Sequence, residues 1–321
     1  MIHETTRLTN KEVAAWLLER DGFLILTHRR PDGDALGSAA GLCAGLRAIG
    51  KQAYILENPE TTERYLEYTH NYLPPPDFVP QVVISVDTAD AGILQKNAWV
   101  YAERVDLCID HHASNTGYAA YSCVDTDCAA CGEVVYEILM ALSGEISAAA
   151  TPLYVALSTD TGCFCYANVT AETLEIASRL VRAGADHWRV NKRLFRTKSR
   201  ARMALDGALL SGLRFSHDDR VALALVTQAR MAETGVTEDD LDDIANIPNQ
   251  AEGVQVGIVV RELPDGSCKI SVRTIPGVDA NAICRKFGGG GHPMAAGCVV
   301  DMEPEDAAVA LEIAAGEALG M

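Results

Sequence analysis

Three uninterrupted apolar runs, each ending in an ionisable cluster, constrain this chain more than any other feature. Phe23-Leu24-Ile25-Leu26-Thr27 leads into His28-Arg-Arg-Pro-Asp32-Gly-Asp34, Val82-Val83-Ile84-Ser85-Val86 into Asp87, and Leu107-Cys108-Ile109 into Asp110-His111-His112. Runs apolar at every position are those of strands buried on both faces, as in a parallel sheet. Ligands of such sheets bind beyond the carboxyl ends of the strands. The runs therefore predict an α/β fold in which three strands deliver acids and imidazoles to one rim. A fourth polar cluster holds Asp160.

Between the runs, the spacing Leu36, Ala39, Ala40, Cys43, Leu46, Ile49 predicts a helix over 34–49, ended by Gly50, with a strand over 53–56 after it. Strand, helix, strand in that order is a βαβ unit. Helices are expected over 10–20, 129–142, 152–158, 171–183 and 187–212. Beyond about residue 213 the texture changes. Phe215 to Thr227 alternates as a strand pair around Asp218-Asp219, and Val254–Val260 and Lys269–Thr274 flank the turn Pro264-Asp265-Gly266. A helix over 279–287, a glycine loop over 288–293, a strand over 297–300 and a helix from Pro304 complete the pattern. The expected organisation is an N-terminal parallel-sheet domain over 1–190, a helical linker over 191–212 and a smaller α+β domain over 213–321.

Composition narrows the function. Of 321 residues 48% are hydrophobic, ordinary for a globular chain, and no apolar run has the length of a bilayer span. Residues 1–20 lack the apolar core of a secretory signal, so a cytoplasmic protein is expected. The ten cysteines fit reduced thiols, and Cys128-Ala-Ala-Cys131 reads as small buried residues. A net charge of −17 disfavours a long duplex, which needs a basic footprint, and favours a small anionic substrate held by a few local cations. The basic stretch from His187 to Arg202 reads as a solvated helix face. Trp16, Trp99 and Trp188 are expected to pack, and His3, His70, His187 and His217 to lie at the surface.

The chemistry lies in the acid and imidazole clusters. Aspartates mixed with neutral histidines suit Mn²⁺, and also Co²⁺, Fe²⁺ or Mg²⁺, and are too rich in oxygen for a structural zinc site. His28 leaves a strand end, while Asp32 and Asp34 open the next helix and can face two neighbouring ions. Asp87 is the natural bridging carboxylate, with His111 and Asp160 available to a second ion. Two cations roughly 3.5–4 Å apart would clamp a phosphoryl group.

Taken together, His28-x3-Asp32-x-Asp34-x3-Ser38, Asp87, Asp110-His111-His112 and Asp160-Thr161-Gly162 resemble the DHH phosphoesterase superfamily. Gly289-Gly290-Gly291-His292 resembles the loop of the DHH-associated C-terminal domain. The resemblance spans nearly the whole chain and is nearest to the stand-alone oligoribonuclease branch, the NrnA type. It implies two divalent metal ions, Mn²⁺ foremost, and hydrolysis of very short RNA to 5′-mononucleotides, with 3′-phosphoadenosine 5′-phosphate as a further substrate. It also implies that His28, Asp32 and Asp87 hold one metal and Asp34, Asp87, His111 and Asp160 the other. His112 would contact the scissile phosphate or protonate the leaving oxygen, with Asp110 supporting the histidines. Closure between the domains would assemble the site, and a homodimer is the expected assembly.

Gly288 to Gly291 can bring backbone N–H groups close to an anion, His292 adds a donor, and the fork of Arg273 can grip a terminal phosphate. These are the expected substrate contacts of the second domain. Rival activities share the metal core: a cyclic di-AMP or pApA phosphodiesterase, a RecJ-like single-strand exonuclease, or, outside enzymes, a nucleotide-binding regulator.

Overall fold

The computed structural model of the chain describes residues 5–241 and 243–321, so that His3 lies outside it. The chain divides into two compact units, Met1–Thr197 and Lys198–Met321.

The first unit runs β1 (Thr6–Arg7), α1 (Asn10–Leu18), β2 (Phe23–Leu26), α2 (Gly33–Ala48), β3 (Ala53–Ile55), α3 (Glu63–Thr69), β4 (Val82–Val86), β5 (Leu107–Asp110), β6 (Tyr121–Val124), α4 (Cys131–Leu142), α5 (Ala150–Asp160), α6 (Ala171–Arg182) and α7 (His187–Phe195). The six strands form one sheet in the order β1-β6-β5-β4-β2-β3, with every pair parallel. The three apolar runs are β2, β4 and β5, and each is buried along its length, as uniform hydrophobicity requires. The short strands β1 and β6 were not legible in the sequence. β6 reads Tyr-Ser-Cys-Val, and its slot between β1 and β5 leaves Ser122 3% exposed.

Strand order reverses at β2, whose neighbours are β3 on one side and β4 on the other. His28 and Asp87, which follow β2 and β4, therefore flank the switch point where the connections diverge and leave a crevice. One helix dominates the packing there. In α2 every residue from Gly33 to Leu46 is buried. Gly33, Gly37, Gly41 and Gly45 recur every fourth residue and so share a face. A Cβ on Gly37 would stand 2.5 Å from the Pro152 carbonyl oxygen and 2.6 Å from the Ala156 nitrogen, and one on Gly33 2.4 Å from the side chain of Thr159. The absent side chains let α2 and α5 lie antiparallel at close quarters, which draws Asp160 beside the first turn of α2.

The second unit runs α8 (Arg200–Ser211), β7 (Arg214–Ser216), β8 (Val221–Val226), α9 (Gln228–Thr234), β9 (Val256–Glu262), β10 (Cys268–Thr274), α10 (Ala280–Arg285), β11 (Gly290–His292), β12 (Ala295–Val300) and α11 (Pro304–Ala318). Its sheet order is β11-β12-β10-β9-β8-β7, antiparallel except for the pair β8 and β9. Leu223, Ile258, Ile270 and Val272 pack under α10 and α11, while Ala224, Val226 and Val259 face Leu205 and Leu209 of α8.

Several expectations change. The single helix over 187–212 is two helices, because Ser199 starts a new one: its Oγ accepts the Arg202 N–H at 2.9 Å. α8 packs within the second unit's core and does not act as a free linker. The glycine loop is shorter than expected, since Gly290, Gly291 and His292 pair with Gly297, Ala296 and Ala295 as an edge strand. Trp16 is buried, but Trp99 and Trp188 are exposed. α7 buries Val190 and Leu194, which leaves Trp188 on the outer face beneath the Lys192 ammonium, 4.9 Å from its ring. The basic stretch is largely paired: Arg189 and Arg193 meet Glu67, and Lys198 and Arg202 meet Asp206. His70 and His187 are exposed, whereas His217 is half-buried against Gly316.

Candidate metal centre

Each side chain of the rim is set by the element that carries it. Asn58 holds the His28 backbone, its Nδ2 donating to the His28 carbonyl at 2.9 Å and to Thr27 Oγ1 at 3.0 Å. Asp32 caps α2 by accepting the Ala35 N–H at 3.0 Å. Asp34, 1% exposed, reaches across to α4 and accepts the Cys131 and Gly132 N–H groups at 2.7 and 3.0 Å, and Ser38 Oγ donates to it at 2.9 Å. A carboxylate facing the N-terminal amides of a helix that has no side-chain cap of its own is favoured by their unpaired donors and by the helix dipole. Asp87 follows β4 with φ +51, a left-handed conformation that costs a non-glycine residue energy and clusters at functional sites. Asp160 ends α5, and Asn168 Nδ2 donates to its carbonyl at 3.1 Å.

The seven predicted residues of this unit come together. His28 Nε2 lies 3.9 Å from Asp32 Oδ1 and 3.7 Å from Asp87 Oδ2. His111 Nε2 lies 3.7 Å from Asp34 Oδ2, 3.5 Å from Asp87 Oδ1 and 3.7 Å from Asp160 Oδ2. Potential ligand atoms of His28, Asp32 and Asp87 all fall within 4.8 Å of one another, as do those of Asp34, His111 and Asp160. Asp87 thus turns one oxygen to each histidine.

The imidazoles are oriented for this. His28 Nδ1 meets the Arg29 carbonyl at 2.8 Å and His111 Nδ1 the Cys128 carbonyl at 3.2 Å. With Nδ1–H donated to a backbone oxygen, Nε2 is the nitrogen that points inward, the arrangement that metal-binding histidines use. His112 differs. Its Nδ1 lies 3.5 Å from Asp87 Oδ1 but is taken by Asp110 Oδ1 at 2.7 Å, so that Nε2 is its remaining ring nitrogen.

The electrostatics call for positive charge at the centre. Burial opposes charging His28, but Asp32 and Asp87 outweigh it and raise its pKa to about 11. Burial is likewise overridden at His111, which Asp87, Asp34 and Asp160 raise to about 10. Asp34 is pushed far above the carboxylate range by burial first and then by the charges of Asp87 and Asp160. Asp160 is raised to about 7, again by burial first, with Asp32 and Asp87 adding to the effect. Asp87 Oδ1 is buried and has no hydrogen-bond donor, since the flanking imidazole nitrogens stand too far away. A buried carboxylate oxygen without a hydrogen-bond donor, flanked by imidazoles held with Nε2 inward, fits a cation, which would take the place of the protons the histidines otherwise hold.

Sequence reading missed the supports of this centre. Asn115 Nδ2 donates to Asp110 Oδ2 at 2.6 Å, and Asn58, Gln95 and Asn168 brace the backbone around it. The spacing Asp110-x4-Asn115 was the one local signal available.

In the second unit Arg273 lies on β10, paired with Ala295 and Gly257. Gly288 and Gly289 donate their N–H groups to the Arg285 and Cys284 carbonyls, at 3.1 and 3.0 Å, which reduces the donors a bound anion can use. Gly289 is required by space, since a Cβ there would come 2.3 Å from the Gly297 carbonyl oxygen. His292 is exposed.

Comparison with known proteins gives this arrangement its class. The model of the DHH family, N-terminal domain, matches residues 22–157, and that of the DHHA1 domain matches residues 219–317. A bifunctional oligoribonuclease and PAP phosphatase NrnA of Thermus thermophilus is 34% identical over 280 residues, covering 86% of this chain and 83% of the relative. The protein of the same description from Bacillus subtilis is 25% identical over 288 residues, covering 87% and 90%. Among solved structures, an exopolyphosphatase-related protein from Bacteroides fragilis superposes with a TM-score of 0.86 at 23% identity, covering 96% of both chains, a likeness of fold. The chain belongs to the DHH phosphoesterases, metal-dependent hydrolases, and within them to the NrnA family.

Proposed function

We propose that the chain hydrolyses very short oligoribonucleotides to 5′-mononucleotides, removes a phosphate from 3′-phosphoadenosine 5′-phosphate, and does so in the cytoplasm with two Mn²⁺ ions. The observation that carries the two-ion reading is Asp87, whose oxygens face separate histidines and whose Oδ1 is buried without a donor. His28, Asp32 and Asp87 would hold one ion, and Asp34, Asp87, His111 and Asp160 the other. Bound there, the ions would neutralise phosphate charge and make water acidic enough to attack at neutral pH. The descriptions of the relatives from Thermus and Bacillus support the substrates.

The chain's own residues divide the remaining work. His112, locked to Asp110 through Nδ1, presents Nε2 to the scissile phosphate and its leaving oxygen. Arg273, Gly289, Gly290, Gly291 and His292 contact the substrate's remaining phosphate or base, with His292 an exposed donor among them.

The test is turnover with Mn²⁺ of a diribonucleotide, 3′-phosphoadenosine 5′-phosphate and cyclic di-AMP, side by side. The first two should be hydrolysed, and cyclic di-AMP slowly or not at all. Asp87→Asn should lower every rate by on the order of a thousandfold, several kcal/mol of lost charge stabilisation, with an unchanged circular dichroism spectrum. A variant that keeps full activity would defeat the two-ion reading.

A further inference from the structure

Three candidate ligands of one ion are steered from a single short stretch of chain, the turn over 128–132 that opens α4. The Cys128 carbonyl meets His111 Nδ1 at 3.2 Å. The Cys131 and Gly132 N–H groups donate to the two oxygens of Asp34 at 2.7 and 3.0 Å. Between them the Ala129 carbonyl accepts Asn168 Nδ2 at 3.1 Å, and the same nitrogen donates to the Asp160 carbonyl at 3.1 Å. Both partners of that nitrogen are carbonyl oxygens, so the amide NH2 must face them, and it has one hydrogen for each. Asn168 thereby ties the end of α5 to the turn.

The turn is firm enough to set direction. Ala129, Ala130 and Cys131 are buried, and the Ala130 carbonyl accepts the Glu133 N–H at 3.1 Å. Gly132 seats α4 against α5, since a Cβ there would come 2.5 Å from Ala156 Cβ and 2.9 Å from Leu157 Cδ1. His28 and Asp32 are held otherwise, within their own loop, by the Arg29 carbonyl at 2.8 Å and the Ala35 N–H at 3.0 Å. The two halves of the centre thus lean on different pieces of chain, while Asp87 faces both histidines.

We propose that Asn168 is a positioning residue for one ion of the pair. By closing the 128–132 turn onto Asp160 it shapes the site of Asp34, His111 and Asp160 and leaves that of His28 and Asp32 as it is. The two ions can therefore be weakened separately. The inference rests on the two-ion reading above and adds to it which part of the chain governs which ion.

Isothermal titration of Mn²⁺ into the metal-free full chain tests it. Asn168 is exposed, so Asn168→Ala spares the core. This variant should bind one ion as the parent does and the other about 10–100-fold more weakly, the usual effect of removing a partner that orients ligands. Two backgrounds assign the weakened ion. With His28→Ala, which cripples the first site, adding Asn168→Ala should weaken the ion that remains. With His111→Ala, which cripples the second, it should change nothing. A general loosening of the fold would not divide the two ions in this way. The proposal is overturned if Asn168→Ala binds both ions as the parent does, weakens both alike, or weakens the ion left in the His111→Ala background. A parent that takes up a single ion would overturn the two-ion reading and this inference with it. A parent with two ions and an unaffected variant overturns the inference alone.

Discussion

At the scale of single residues, the centre depends on side chains that touch no ion candidate. Asp110 is fully buried and takes four donors: the His111 and His112 N–H groups at 2.8 and 3.3 Å, His112 Nδ1 at 2.7 Å and Asn115 Nδ2 at 2.6 Å. Asn115 cannot turn its amide round, because its Oδ1 accepts the Gly117 N–H at 2.9 Å. It therefore aims Asp110, and Asp110 aims His112. Asn115→Ala should lower kcat/KM by about 10–100-fold, the usual effect of removing a group that orients a ligand or its neighbour. Steady-state kinetics at saturating Mn²⁺ measures this, and parent-like rates would show that Asp110 needs no such brace.

At the scale of elements, the glycine face of α2 matters most. It sets how closely α5 approaches, and with it the position of Asp160. Gly37→Ala should destabilise the protein by about 1–3 kcal/mol, because its methyl would meet backbone atoms that cannot swing aside. Gly207, exposed in α8 with no atom within 4 Å of where its Cβ would stand, makes the matched control. Gly207→Ala should be neutral or stabilise by up to ~1 kcal/mol, since alanine is the better helix former. Urea unfolding of the two variants distinguishes close packing from simple helix propensity. Equal shifts would mean that the glycine face of α2 has no special role.

At the scale of the whole molecule, two units carry separate cores. One is gathered on both faces of the parallel sheet, the other on both faces of the mixed sheet. All the candidate metal ligands belong to the first. A ligand that binds only the folded form stabilises by about 2.7 kcal/mol at a hundredfold excess over its Kd. Scanning calorimetry in Mn²⁺ and then in EDTA should therefore show the first unit's transition moving down on chelation while the second unit's stays put. A common shift of both transitions would mean that the units unfold as one. The same chelation should abolish phosphoester hydrolysis, and added Mn²⁺ should restore it. Among the described residues no helix is long and apolar enough to cross a membrane.

What the sequence determined by itself is local. β2, β4 and β5 announce a parallel sheet because burial on both faces leaves no room for polar residues. The aspartates and histidines just past them announce a rim because strand ends are where such sheets bind ligands. Tertiary structure decided whatever needs two distant stretches to meet. Asp34 finds the α4 amides 97 and 98 residues away. Asp160 arrives because α2 and α5 can touch. Carbonyls of Arg29 and Cys128 choose which nitrogen of each imidazole faces inward. The glycines at 290 and 291 join a sheet edge because β12 offers partners. Periodicity reports whether a residue is buried, but it does not reveal its partner, and in this centre the partners set each ligand's direction.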